Sequence, residues 1–168
     1  MISKLLSTTF CLALLSMTCL AQQKPDFSGT WKLNVAKSDF GNFPAPISRT
    51  DVIVHKEPSI TANVSAEGAQ GKFEYVANYS TDGKETTYKA RDRETKSTAK
   101  WDGNNLQVHS VFKINDTEVT AVATWTLSSD GKTLNINVHF SSSMGDVEQK
   151  LIFEKQDSGT PAAPVKKT

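Results

Sequence analysis

From residue 29 onward, apolar and polar side chains alternate with a period of two, in short runs separated by turn-forming residues. The pattern predicts strands at Gly29–Asn34, Arg49–Lys56, Ser59–Ala66, Lys72–Ser80 and Glu85–Ala90. Five more are predicted at Glu94–Trp101, Asn105–Ile114, Glu118–Leu127, Thr133–Ser141 and Val147–Lys155. The joins carry the chemistry of tight turns. Asp82-Gly83, Asp102-Gly103 and Asp130-Gly131 tolerate the positive φ of a hairpin, and Pro58 divides the second and third runs. None of the six prolines falls inside a predicted strand, where it would delete a ladder hydrogen bond.

Consecutive strands with short links form an antiparallel up-and-down meander, which disposes of its edges most simply by closing into a barrel. The expected fold is therefore all-β: one barrel of eight to ten strands over residues 22–155, ahead of a Pro/Ala/Lys-rich tail at 156–168 that has no apolar period. No strand–helix–strand rhythm appears. The long connection Val35–Ile47, with Gly41, Pro44 and Pro46, has room for one helical turn.

Alternation also assigns faces. Ile60, Ala62, Val64 and Ala66 share one side of their strand, as do Phe73, Tyr75, Ala77 and Tyr79 on the next. Later strands contribute Leu106, Val108, Ser110 and Phe112, then Val119, Ala121, Ala123, Trp125 and Leu127, then Leu134, Ile136, Val138 and Phe140. Pooled, these faces make an aromatic and aliphatic interior with almost no charge. His55, His109 and His139 fall on positions expected to face solvent.

Residues 1–21 break the pattern. Lys4, the apolar stretch Leu5–Leu15 and Cys19-Leu20-Ala21 have the layout of a secretory signal cleaved before Gln22. Secretion or a periplasmic location is expected; a second reading makes Cys19 the acylated first residue of a lipoprotein. Both cysteines, Cys11 and Cys19, lie in this stretch, so the mature chain has no disulfide and no thiolate chemistry. Setting Lys4 aside, 18 basic and 18 acidic side chains balance, which argues against nucleic acid or an anionic membrane face as partner. No later run is long enough for a transmembrane helix. A monomer is expected.

The interior supplies the candidate chemistry. Phe73, Tyr75, Trp101, Phe112, Trp125 and Phe140 are the candidate ligand-binding residues, acting by apolar contact, with Tyr75 as hydrogen-bond donor. The competing reading interdigitates the rings into a solid core, although Ala62, Ala77, Ala121 and Ala123 leave space opposite them. Trp31 reads as a plug at the barrel base. No nucleophile motif, converging metal ligands or cofactor signature is present, so neither catalysis, a metal nor a cofactor is expected. Asn63, Asn78 and Asn115 head glycosylation acceptor triplets that matter only in a eukaryotic secretory route. The expected function is binding or carriage of a small, mostly neutral lipophilic ligand. The alternative is a non-catalytic cell-envelope module with a solid core.

Asp26-Phe27-Ser28-Gly29-Thr30-Trp31-Lys32-Leu33 is similar to the opening of calycins, the superfamily of lipocalins and fatty-acid-binding proteins, whose first strand begins with Gly-x-Trp after an aromatic residue. Lys100-Trp101-Asp102-Gly103 and Phe153-Glu154-Lys155 resemble segments of the fatty-acid-binding branch. Over 26–155 the chain resembles secreted lipocalin-like and fatty-acid-binding-protein-like bacterial proteins. The resemblance implies a small barrel whose interior takes a lipophilic molecule. Three departures qualify it. The branch's two late arginines and tyrosine, which hold a carboxylate head group, correspond to Trp125, Leu151 and Phe153, so a deeply bound anion is disfavoured. Its helical lid does not fit in Val35–Ile47. The late arginine that covers the lipocalin tryptophan is missing, leaving Lys150 or Lys155 as the substitute over Trp31.

Overall fold

The computed structural model describes residues 24–157; the proposed signal segment 1–21 and residues 158–168 of the proposed tail lie outside them. Ten antiparallel strands form a nearly closed barrel: β1 Gly29–Leu33, β2 Ser48–Lys56, β3 Ser59–Gly68, β4 Gly71–Ser80, β5 Thr86–Ala90, β6 Arg93–Asp102, β7 Asn105–Ile114, β8 Thr117–Leu127, β9 Thr133–Ser142 and β10 Gly145–Gln156. Each agrees with its predicted run to within two residues at either end. Sequence neighbours pair except at β4 and β5, where Asp82-Gly83 turns the chain without closing the expected hairpin, and β1 pairs with β10 to bring the ends together, giving the order β4-β3-β2-β1-β10-β9-β8-β7-β6-β5. Only β4 and β5, adjacent in sequence, share no ladder.

Local chemistry sets the hairpins. β7 and β8 are joined by Asn115 and Asp116 alone, at φ 46° and 66°, left-handed values that Asn and Asp accept more readily than branched residues do. The Val35–Ile47 connection holds a single 3-10 turn, Val35–Lys37, capped by the Asn34 side chain accepting from the Lys37 amide at 3.1 Å. Asp39 then pairs with Lys150 through two 2.8 Å backbone bonds, pinning the connection over one end of the barrel. Gly41 makes this route possible, because at its φ of 56° a Cβ would stand 2.5 Å from the Glu148 carbonyl oxygen.

The other end is plugged. Trp31 and Phe27 are completely buried, and the Trp31 Nε1–H donates to the Phe27 carbonyl at 2.8 Å. Phe27 stacks on Trp101 at 5.7 Å and meets Trp125 edge-on at 5.6 Å. The Lys155 ammonium lies 5.2 Å above the Trp31 ring, taking the covering role expected of Lys150 or Lys155. It gets there by crossing Gly29, where a Cβ would come within 2.6 Å of the Lys155 Cε. Glycine at position 29 thus suits both its φ of 140° and the passage of the Lys155 side chain toward the ring.

β2 corrects two expectations. Its inward positions are Asp51, Ile53 and His55, whereas Val52 and Val54 face solvent. The His55 side chain is only 4% exposed. Its Nδ1 accepts from the Phe27 amide at 3.3 Å and its Nε2 meets Glu57 at 3.0 Å, so it belongs to the plug. Nor is the interior nearly uncharged. Asp51, 4% exposed, takes a two-pronged ion pair from Arg49, with both N–H···O distances 2.8 Å.

Candidate functional site

Above the plug lies a cavity of about 270 Å³. Trp125 is its floor, held edge-on by Phe27 at 5.6 Å and by Tyr79 at 5.6 Å. One wall is a run of aromatic rings. Tyr75 stacks on Tyr88 at 6.1 Å and Tyr88 meets Tyr79 edge-on at 5.8 Å, while Phe73, outside this cavity, stacks on Tyr75 at 6.4 Å. The facing wall is small and aliphatic: Val108, Ala121, Ala123, Ile136 and Val138. Thr95 and Ser110 add a polar strip, steadied by a 2.7 Å hydrogen bond between the buried Ser97 and Ser110 hydroxyls. Phe112, Phe140, Gln149 and Leu151 ring the upper end.

The space continues into a second hollow of about 490 Å³ beneath the Val35–Ile47 connection. Phe40, Phe43 and Pro44 roof it, the Gly68–Gln70 turn closes one flank, and Ala90–Arg93 closes another. Arg49, Tyr75, Ala90, Arg93, Gln149 and Leu151 line both hollows and mark their junction. Phe43 meets Phe140 at 5.3 Å, tying the roof to the chamber rim.

Of the six candidate residues, Tyr75, Phe112, Trp125 and Phe140 line the inner cavity, while Phe73 lines the outer hollow with Tyr75. Trp101 lies elsewhere. It stacks in the plug, its Nε1–H donates to Glu57 at 2.8 Å, and Lys24 sits 5.5 Å over its ring. Ala121 and Ala123 line the cavity as expected of small residues opposite rings; Ala62 and Ala77 are packed in the core. The sequence placed Tyr79 on the inward face of its strand but not among the candidate binding residues, and it did not single out Tyr88 or the arginines for the site. The signal for Tyr88 was its place on the short β5 strand, whose inner face holds Thr86, Tyr88 and Ala90.

Burial shapes the protonation of these groups. Loss of solvation raises the Tyr75 and Tyr79 phenols above their ordinary range, so both are hydroxyl donors at neutral pH. For Arg49, burial works against the charge, but the adjoining Asp51 carboxylate and its hydrogen bonds prevail and keep the guanidinium cationic. Among the described residues no cluster of three or more His, Cys, Asp or Glu is placed to hold a metal. Nor is any described helix long and apolar enough to cross a membrane.

Ten antiparallel strands wound up and down around an aromatic chamber form a nearly closed barrel, calycin-like in fold. No protein-family model matches the sequence, and no curated protein matches it significantly. Solved structures do. The zebrafish ileal bile acid-binding protein, crystallised with cholic acid, superimposes with a TM-score of 0.56 at 14% identity, covering 77% of this chain and 98% of that one. A secretory abundant heat soluble protein from Ramazzottius varieornatus gives a TM-score of 0.55 at 16% identity, covering 77% and 94%. At such identities the likeness is one of fold.

Proposed function

We propose that this protein is exported to the periplasm or the exterior and there binds a small lipophilic ligand inside its barrel, sequestering or carrying it without chemical change. The ligand's bulk is uncharged and apolar, matching the chamber walls. The observation that carries the reading is the cavity itself, about 270 Å³ lined by Tyr75, Phe112, Trp125, Phe140 and small aliphatic side chains and opening into the outer hollow. Ala121 and Ala123 keep the space opposite the rings open. The cholic acid complex of the zebrafish protein of the same fold adds support. Export rests on the layout of residues 1–21.

Native mass spectrometry of protein purified from its own cell envelope, followed by extraction, tests the proposal. A retained lipophilic compound is expected, and titrating it into stripped protein should change Trp125 emission. Trp125→Ala should weaken that binding. A protein that leaves the cell empty and answers no lipophile overturns the reading in favour of the interaction module.

A further inference from the structure

The chain has three arginines, Arg49, Arg91 and Arg93, and all three line the outer hollow. No lysine and no carboxylate of the described residues lines it, although the chain carries sixteen lysines and eighteen acidic residues. Each guanidinium lies over a ring: Arg49 at 5.3 Å from Phe153, Arg91 at 4.0 Å from Phe73 and Arg93 at 5.5 Å from Phe112. Such seats fix the planar group while leaving its N–H edges to other partners. Arg49 spends its edge on Asp51 and is electrically neutralised. Arg91 gives one N–H to the neutral Gln70 side chain at 3.2 Å. For Arg91 and Arg93 no carboxylate among the described residues lies within ion-pair distance.

The hollow therefore holds two uncompensated positive charges, on the residue type whose fork matches an oxyanion, at the mouth of an apolar chamber. We infer that the ligand is a lipophilic oxyanion: a body in the inner cavity and a carboxylate or phosphate-type head in the outer hollow, held by Arg91 and Arg93. The position explains why the sequence alone argued against an anion. The late strands are bare of arginine, whereas these cations come from β2 and from the hairpin between β5 and β6. Placing the head at the mouth also leaves it in contact with water, which lowers the desolvation cost of a fully buried charge.

This inference rests on the lipophile reading above, and the test separates the two. Decanoate, decyl phosphate, decanol and decyltrimethylammonium are titrated into the stripped full-length protein, its R91Q and R93Q variants and the double variant. Decanoate and decyl phosphate should bind about tenfold or more tightly than decanol, and decyltrimethylammonium most weakly. R93Q and R91Q should each reduce the anion preference, and the double variant should abolish it while decanol affinity stays within about twofold. Because the head-group series is measured first on the unaltered protein, it decides the matter even where a variant folds poorly. Equal affinity for decanol and decanoate overturns the oxyanion inference and leaves the lipophile reading standing. Failure of every compound to bind overturns both.

Discussion

Tyr75 on β4 and Tyr88 on β5 stack at 6.1 Å with their rings 9° from parallel, across the only junction in the barrel where neighbouring strands share no ladder. Elsewhere backbone hydrogen bonds hold strand to strand. Here side chains do it: the Thr86 hydroxyl donates to the Asn78 carbonyl at 2.6 Å near the plugged end, the tyrosines stack in the middle, and Arg91 reaches Gln70 and Phe73 at the mouth. Tyr88→Ala removes the central tie. It should lower stability by about 1–3 kcal/mol, from lost burial and the aromatic pair. Amide exchange should accelerate in β5 well before β8 or β9; uniform acceleration would show that the seam is no separate unit.

The Asp51–Arg49 pair sits inside the barrel, so removing one member leaves the other short of a partner. Breaking a fully buried pair costs ~3–5 kcal/mol, but Arg49 keeps about a quarter of its side chain exposed, which moderates the loss. Asp51→Asn should therefore cost about 2 kcal/mol in urea unfolding. A change below about 0.5 kcal/mol would mean the pair behaves as a surface one.

Acid should loosen the plug. Glu57 accepts hydrogen bonds from the Thr81 hydroxyl and the Trp101 indole and meets His55; burial pushes its pKa up, yet these bonds together hold it below its ordinary 4.5. A carboxylate depressed on folding contributes stability above its unfolded pKa, and that contribution is lost as pH falls through the folded value. The Glu57 contribution to the urea midpoint should be full and independent of pH near neutrality, and should decline below about pH 4.5. Glu57→Gln should flatten that part of the acid limb; an unchanged limb would assign it to other carboxylates.

Trp31 fills the barrel base and spends its only polar hydrogen on Phe27. Trp31→Ala should cost about 3–5 kcal/mol, and Trp31→Phe less, since it keeps most of the volume but leaves the Phe27 carbonyl without its donor. Calorimetry of the pair separates filling from hydrogen bonding. Equal losses would put the whole effect on the hydrogen bond.

The strands were readable because strong period-two alternation and Asp-Gly turns agree along most of the chain. The inward faces of β3, β7, β8 and β9 follow directly from their aliphatic residues. β2 was ambiguous for a physical reason: Val52 and Val54 argue for one register and Ile53 for the other, and pairing with β1 and β3 decides for Asp51, Ile53 and His55 inside. β6 hides its role similarly, since Thr95 and Ser97 look solvent-facing until Ser110 supplies the partner for Ser97. The arginines were visible as residues but not as a group. Arg49 lies more than forty positions from Arg93, and only ring closure brings them to one hollow.

A cylinder laddered all the way round has its girth dictated by strand number and stagger. This one has nine rigid junctions and a tenth made of rings and a hydroxyl, so its circumference can stretch by rotamer turns without sacrificing any interstrand ladder. A guest bulkier than the resting chamber would spread that hinge-like slit, and the elastic cost would fall on a few tyrosines instead of on the scaffold.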